Sequence, residues 1–167
     1  WWQHADWHEA QAFCVPAQHF SGRGPRDRNT TLWCGWRLQW PDFSLFFAGD
    51  TGYAPVFQDI HKAVGPVDTA LLPIGAYLPR WFMAPVHINP EEAVRIHQDL
   101  QARHSLAMHW GTFVLTDEPM DEPPQLLARA LATQGIPAGQ FRVPAHGETV
   151  TLPLHDTVAA VDPVLQS

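Results

Sequence analysis

This chain of 167 residues has few charges and fewer cysteines. Charged residues make up 16% and sum to a net charge of −7, which argues against nucleic-acid binding because a phosphate backbone requires a basic face. The two cysteines, Cys14 and Cys34, fit neither a disulfide framework nor a CxxC zinc site, and they favour a reducing, cytoplasmic compartment. No apolar run approaches the roughly 20 residues that a membrane-spanning helix needs.

Several common catalytic motifs are also missing. The sequence contains no Gly-x-Ser-x-Gly, no Walker loop and no GxGxxG after a predicted strand. These absences exclude the commonest serine-hydrolase and nucleotide-binding classes. Hydrophobic residues nevertheless make up 46% of the chain, and its length suffices for one domain with a buried core, so the composition is that of a folded protein.

Apolar runs separated by turn residues predict alternating strands and helices, and therefore an α/β fold with a mixed sheet and flanking helices. The predicted strands are 11–16, 31–39, 43–48, 69–73, 105–108, 141–143 and 148–152. The predicted helices are 55–64, 90–102 and 124–134, with loops at 20–30, 75–89 and 116–124. Asn89, Pro90 and Glu92 predict a capped start for the second helix. We assign residues 1–154 to one domain and 155–167 to a tail.

Three residues placed where a strand ends and a loop begins suggest a metal site. They are His19, Asp50 and His109. Strand ends are where α/β sheets present their chemistry, and two imidazoles with one carboxylate suit Zn²⁺ or a similar divalent ion. Taken singly, each residue fits an ordinary loop histidine or an Asx turn equally well. Their common placement is what favours a site.

Other polar residues allow more than one interpretation. His87 precedes the capped helix, where it either contacts substrate or packs on its own helix. Arg23 lies with Arg26 and Arg28 in a small basic loop that either meets a phosphate or is simply solvated. Helix-surface positions are predicted for His61, His97 and His104, and His4 and His8 fall in an N-terminal segment that we expect to fray. A solvated acidic loop is predicted for Asp117, Glu118, Asp121 and Glu122.

Longer motifs carry a resemblance to a known family. Pro-Ala-Gln-His-Phe-Ser-Gly-Arg-Gly, Phe-Phe-Ala-Gly-Asp-Thr-Gly-Tyr and His-Trp-Gly-Thr-Phe-Val-Leu-Thr-Asp-Glu-Pro occur in that order, and the match covers most of residues 12–150. The chain thereby resembles the metallo-β-lactamase-fold hydrolases, in particular the branch of N-acylphosphatidylethanolamine-specific phospholipase D and its bacterial relatives. The resemblance implies the C-terminal half of a four-layer αββα sandwich with two zinc ions.

The resemblance also implies roles for individual residues. His19, Asp50 and His109 would be metal ligands, Asp50 bridging both ions, and His87 would lie near the substrate phosphate. Asp50 and His87 would thus serve a phosphodiesterase reaction that uses a metal-bridging hydroxide, with His87 and Arg23 binding the substrate. The family's His-x-His-x-Asp-His box is absent from the sequence. We therefore expect a fragment that pairs with a missing N-terminal half or with a second copy.

Two alternatives remain at this point. One is a non-catalytic binding or assembly module that retains half of the fold, and the other is a mononuclear metal-binding protein that uses the trio alone. A small-molecule or phospholipid substrate is expected under the enzymatic interpretation, and nucleic acid is not. Tyr77, Trp81, Phe82 and Met83 would then hold an acyl chain or serve as packing. We expect a cytoplasmic location and leave peripheral membrane contact open.

Overall fold

The computed structural model describes residues 1–152 and confirms the α/β class, with one mixed sheet and helices against it. The strands are β1 (His4–Trp7), β2 (Ala10–Val15), β3 (Gly35–Gln39), β4 (Ser44–Phe47), β5 (Thr69–Pro73), β6 (His104–Met108) and β7 (Phe141–Arg142). The helices are α1 (Val56–Val64), α2 (Arg80–Met83), α3 (Pro90–Asp99) and α4 (Glu122–Thr133). No helix among these residues is long and apolar enough to cross a bilayer.

The strands lie in the sheet in chain order, which places several strand ends along one edge. β1 to β4 pair antiparallel, whereas β4 to β7 pair parallel. Because β2 is two antiparallel steps from β4, it runs in the same direction as β4, β5 and β6. The carboxyl ends of these four strands therefore meet at one edge of the sheet, where such folds place their ligands.

The core lies between one face of the sheet and the three longer helices. Alternating strand residues such as Phe46, Ala70 and Leu72 are fully buried there. They pack with apolar residues of the helices, namely Phe57, Ile60, Val94, Ile96, Leu127 and Leu131. The opposite face carries the other half of the alternation, and there Trp36 and Phe47 remain 43% and 40% exposed. One sheet face is thus packed and the other is open.

Most predicted elements are confirmed. The hairpin of β3 and β4 forms around the predicted turn, with the Trp40 amide donating to the Phe43 carbonyl at 2.8 Å. The capping box of α3 is present, since Asn89 accepts from the Glu92 amide and the Glu92 carboxylate accepts from the Asn89 amide. Strand β5 is central and largely buried, as its wholly apolar sequence predicts.

Four predictions about elements were wrong. The N-terminal segment is an edge strand rather than a frayed end, because it pairs with β2 and the His4 ring contacts the Phe13 ring, with centroids 5.3 Å apart. Residues 31–34 precede β3 rather than belonging to it, and 148–152 form no strand. The loop 75–89 contains the short helix α2. The predicted tail, 155–167, lies outside the described residues.

Candidate metal centre

Four polar side chains converge at the edge where the parallel strands end. His19 follows β2, Asp50 follows β4 and His109 follows β6, while His87 lies just before α3. The ligating atoms of His19, Asp50 and His87 all lie within 4.8 Å of one another. Nε2 of His109 lies 3.4 Å from Oδ1 of Asp50. The structure therefore brings together the three predicted ligands and adds His87 to them.

The three imidazole rings pack against one another beside the Asp50 carboxylate. The His87 ring is edge-on to His19 and stacked on His109, with both pairs of centroids 5.4 Å apart. The ring of His87 is thus the middle member of the histidine cluster. These residues are far apart in the sequence. They meet because the strands that precede His19, Asp50 and His109 end at the same edge of the sheet.

Two ring nitrogens in this cluster are buried without a hydrogen-bond partner. They are Nε2 of His19 and Nδ1 of His87. The other nitrogen of His19, Nδ1, lies 2.9 Å from the Phe20 carbonyl, so it is the N–H donor and leaves the Nε2 lone pair free. A buried polar atom without a partner is costly, and a metal ion removes that cost for an imidazole lone pair. These donors fit a divalent metal such as zinc.

Electrostatics around His87 favour the neutral imidazole. Its burial lowers the pKa below the usual value, and the nearby His109 and His19 lower it further, although Asp50 acts in the opposite direction. A neutral imidazole retains a lone pair that accepts a proton or a metal. The lowered pKa of His87 therefore favours the form that can ligate a metal.

Thr51 ties three of the site's loops together. Its buried hydroxyl accepts from the Gln18 amide at 2.9 Å, which holds the residue before His19. Its carbonyl accepts from the Ile88 amide at 2.8 Å, which holds the residue after His87. Because Thr51 directly follows Asp50, one residue fixes the relative positions of three of the four polar groups. Nothing in the sequence pattern distinguished Thr51 from an ordinary loop threonine.

Two glycines permit the loops to approach this closely. A Cβ on Gly52 would lie 2.8 Å from the carbonyl oxygens of Ala84 and Pro85. A Cβ on Gly75 would lie 2.5 Å from the carbonyl oxygen of His109. His109 itself has a φ of 56°, which is a left-handed conformation that non-glycine residues seldom adopt. The site is built by close backbone contacts that side chains would prevent.

Arg80 holds the backbone of His87 from behind. Its Nη1 donates to the His87 carbonyl at 2.9 Å, and its Nη2 donates to both oxygens of Glu92 at 3.0 and 2.8 Å. Glu92 also closes the capping box of α3, so the start of the helix and the position of His87 are fixed by one network. A planar guanidinium is suited to such a fixed fork of contacts.

Comparison with known proteins places the chain in a family. A family model described as the beta-lactamase superfamily domain matches residues 1–110. The chain belongs to the metallo-β-lactamase superfamily. It is 45% identical over 121 residues to N-acyl-phosphatidylethanolamine-hydrolyzing phospholipase D 1 of Caenorhabditis elegans, an alignment that covers 69% of this chain and 34% of that protein.

Other relatives extend the comparison. An uncharacterised protein of Mycobacterium tuberculosis is 43% identical over 153 residues, covering 90% of this chain and 40% of the relative. The solved structure of Igni18, a metallo hydrolase of Ignicoccus hospitalis, superposes with a TM-score of 0.66 at 23% identity, covering 89% of this chain and 57% of that one. The chain thus spans well under half the length of the relatives from Caenorhabditis elegans and Mycobacterium tuberculosis. At such low identity, the likeness to the solved structure concerns the fold alone.

The part of the site next to His109 is apolar and exposed to solvent. Residues 110–120 border a concavity of about 300 Å³ beside His109, lined by Trp110, Phe113, Val114, Leu115 and Met120 among others. Phe113, Val114 and Leu115 are 74%, 78% and 70% exposed. Of the predicted acyl-contacting residues, Tyr77 is buried and donates to Glu122, whereas Trp81 and Phe82 are exposed. This superfamily member therefore presents apolar side chains to solvent next to its histidine cluster.

The arginine loop reaches the site through Arg28. The guanidinium of Arg28 lies 4.6 Å from the centroid of the Phe20 ring, which stacks on His19. Arg23 is exposed, and its backbone amide donates to the Asp27 carboxylate. Nothing in the structure tests the predicted substrate contact of Arg23, which stays a prediction.

Three predictions about polar residues were wrong, those for Glu118, His97 and His104. His104 begins strand β6 rather than lying on a helix surface. Glu118 is buried rather than solvated, because its carboxylate accepts from the backbone amides of Ala76, Tyr77 and Leu78. His97 is buried rather than on the helix surface, with Nδ1 2.9 Å from the Ser105 hydroxyl, and burial lowers its pKa to about 4. Loop composition indicates exposure only on average, and a carboxylate that satisfies several backbone amides is favoured inside.

Proposed function

We propose that the protein is a metal-dependent hydrolase of phosphodiesters, with phospholipase D-like activity. The observation that supports it best is the convergence of His19, Asp50, His87 and His109 at one edge of the sheet, with Nε2 of His19 buried and free to ligate. The named relative in Caenorhabditis elegans hydrolyses N-acyl-phosphatidylethanolamine by its own description, which supports a diester substrate.

His19, Asp50 and His109 would hold the metal. Zinc ions bound there would lower the pKa of a bound water to about 7 and offset negative charge on phosphoryl oxygens. Oδ1 of Asp50 faces His109, and a carboxylate has a second oxygen, so Asp50 would suit a bridging role between two ions. The zinc identity and the number of two ions belong to this proposal.

The chain's own groups would orient the diester. His87, neutral and held at its carbonyl by Arg80, presents its ring between the His19 and His109 rings. From there it would contact the phosphoryl oxygen or exchange a proton with it. The apolar side chains around 110–120 line a concavity on the adjacent side and suit an acyl chain. Both features favour an acylated phospholipid over a small polar diester.

The open sheet face supports a further part of the proposal. Trp36 and Phe47 are exposed on it, and large apolar residues on one continuous face are usually covered in the functional protein. The curated relatives compared here are much longer than this chain. We therefore propose that a second sheet, supplied by further chain or by a second copy, covers this face and completes the metal ligands.

The test uses the full-length protein and two variants. Metal content is measured by inductively coupled plasma mass spectrometry, and hydrolysis is measured with bis(p-nitrophenyl) phosphate and with N-acyl-phosphatidylethanolamine in mixed micelles. Asp50→Asn removes one anionic ligand, so we expect less bound metal and a loss of hydrolysis of at least about 100-fold, since even outer-shell changes cost 10 to 100-fold. Asp59→Asn is the control, because that carboxylate pairs with Lys62 on the exposed surface of α1.

The outcomes separate the hypotheses. Metal content and hydrolysis that persist in Asp50→Asn would contradict the assigned centre. Tight metal binding without hydrolysis of either diester would favour the binding-module interpretation instead. Chelation that abolishes activity, with recovery on adding zinc but not manganese, would establish the metal.

A further inference from the structure

Three side chains stack outward from the metal centre. The rings of His19 and Phe20 are nearly parallel, with centroids 4.6 Å apart and planes 8° apart. The guanidinium carbon of Arg28 lies 4.6 Å from the centroid of Phe20. A cation over an aromatic face is held in place while its N–H edge stays available. Arg28 is thus positioned relative to His19 by an aromatic ring between them.

The loop that carries Arg28 is closed by its own hydrogen bonds. The amide of Asn29 donates to the Ser21 carbonyl at 2.7 Å, and the amide of Ser21 donates to the Asn29 side chain at 3.3 Å. The Asp27 carboxylate accepts from the backbone amides of Arg23 and Gly24. These hydrogen bonds fix the backbone of the exposed loop, and the fixed backbone holds Arg28 over the Phe20 ring.

The guanidinium of Arg28 is left with its donors available. Among the ion pairs and side-chain hydrogen bonds within 1–152, none involves that guanidinium, and the neighbouring Asp27 carboxylate is occupied by backbone amides. Arg28 and Phe20 border a surface concavity of about 230 Å³, together with Ser21, Gly22, Gly24 and Pro25. The lining offers one cation, one aromatic face and small residues, and it contains no carboxylate.

We propose that this concavity is a second substrate subsite, in which Arg28 binds an anionic group next to the scissile phosphodiester. The proposal rests on the proposed hydrolase function. Since an entire ring separates Arg28 from His19, its anion is a group other than the phosphate at the metal centre. The preferred substrates are therefore diesters that carry a second negative charge, a carboxylate or a phosphate, on one of their two alcohol groups.

The test compares two chromogenic esters that differ in one charge. They are p-nitrophenyl propyl phosphate and p-nitrophenyl 3-carboxypropyl phosphate, assayed with the full-length protein and its Arg28→Gln and Arg28→Lys variants. Because Arg28→Gln replaces a charged hydrogen bond with a neutral one at an exposed site, we expect it to lower kcat/KM for the carboxylate ester by about tenfold, through KM. The propyl ester should change less than twofold, and Arg28→Lys should fall between.

A binding measurement makes the result independent of turnover. Calorimetric titration with 3-phosphonopropanoate and with propylphosphonate reports how much the added carboxylate contributes to affinity, and Arg28→Gln should remove most of that contribution. Arg129→Gln, an exposed arginine of α4, is the matched control and should change neither assay.

Two results would overturn the subsite. One is an equal loss of kcat/KM for both esters in Arg28→Gln, which would mean that Arg28 only orders its loop. The other is a wild-type protein that does not distinguish the two esters or the two phosphonates. If the wild type hydrolyses neither these esters nor N-acyl-phosphatidylethanolamine, the proposed function fails, and the two phosphonate titrations still decide the role of Arg28.

Discussion

The interior and the outer edge of the metal centre are built in opposite ways. The interior, formed by 18–19, 50–52 and 87–88, is held by backbone hydrogen bonds through Thr51 and by close backbone approach at Gly52. The outer edge, formed by 21–32 and 111–117, is largely exposed and carries Phe113, Val114 and Leu115. Metal ligands need fixed geometry, whereas substrate contacts tolerate variation. Under the proposed function, the interior would determine the chemistry and the outer edge would select the substrate.

Among changes that leave the proposed metal ligands in place, the largest expected effect comes from loosening the backbone behind His87. Arg80→Met removes the donor to the His87 carbonyl and breaks the fork to Glu92. A displacement of about 1 Å in a reacting group costs on the order of 100-fold, so we expect hydrolysis to fall by 10 to 100-fold. Metal content should stay at the wild-type level, because His19, Asp50 and His109 are untouched. Steady-state kinetics and metal analysis of the same preparation check this.

Arg129→Met on the exposed surface of α4 is the control for Arg80→Met and should change neither quantity. If Arg80→Met loses metal in proportion to activity, His87 is a metal ligand rather than a substrate contact.

A smaller effect is expected where the loops of the interior meet. Gly52→Ala places a Cβ 2.8 Å from two backbone carbonyl oxygens, which cannot move aside as a side chain can. Such overpacking costs about 1 to 3 kcal/mol of unfolding free energy. Urea denaturation measures it. Gly139→Ala is the matched control, since nothing lies within 4 Å of its Cβ, and a loss there as large as at Gly52 would disprove the steric argument.

Glu118 joins the outer edge to the loop after β5, and its contribution depends on pH. Burial raises the pKa of this carboxyl, but hydrogen bonds from the Thr116 hydroxyl and from backbone amides, including those of Leu78 and Ala76, lower it, and the net shift is downward. A carboxyl whose folded pKa lies below its unfolded value stabilises the protein above the unfolded value, near 4.5. That stabilisation is lost as the pH falls through the folded pKa.

The test of Glu118 is a comparison of unfolding free energies. Glu118→Gln should cost about 1 to 3 kcal/mol at pH 7, because the amide has one accepting oxygen for several donors. The difference from wild type should shrink as the pH is lowered from 5 towards 3. The exposed neighbour variant Asp117→Asn should show no such pH-dependent difference. A constant difference across this range would exclude the carboxylate as the source.

The fold and the placement of His19, Asp50 and His109 at one edge of the sheet were predictable from the sequence because both follow from local patterns. Apolar runs locate the strands, and a polar residue at a strand end lies at the functional edge whatever the tertiary details. The positions of Thr51, Arg80 and Glu118 were not predictable, because each acts through contacts with residues distant in sequence. The burial of His97 in α3 was not predictable for the same reason, since it depends on contacts with Ser105 of β6 and Phe141 of β7.

The smallest effect on stability is expected at the outer edge itself. Phe113 is 74% exposed, so Phe113→Ser should change the unfolding free energy by no more than about 0.5 kcal/mol and should leave metal content unchanged. If this side chain contacts the acyl part of the substrate, KM for a long-chain diester should rise several-fold, while KM for bis(p-nitrophenyl) phosphate should not change. Gln125→Ser, at an exposed position of α4, serves as the control. A parallel change in both KM values would mean that Phe113 affects the metal centre itself. It would then weaken the distinction between an interior that fixes geometry and an outer edge that contacts substrate.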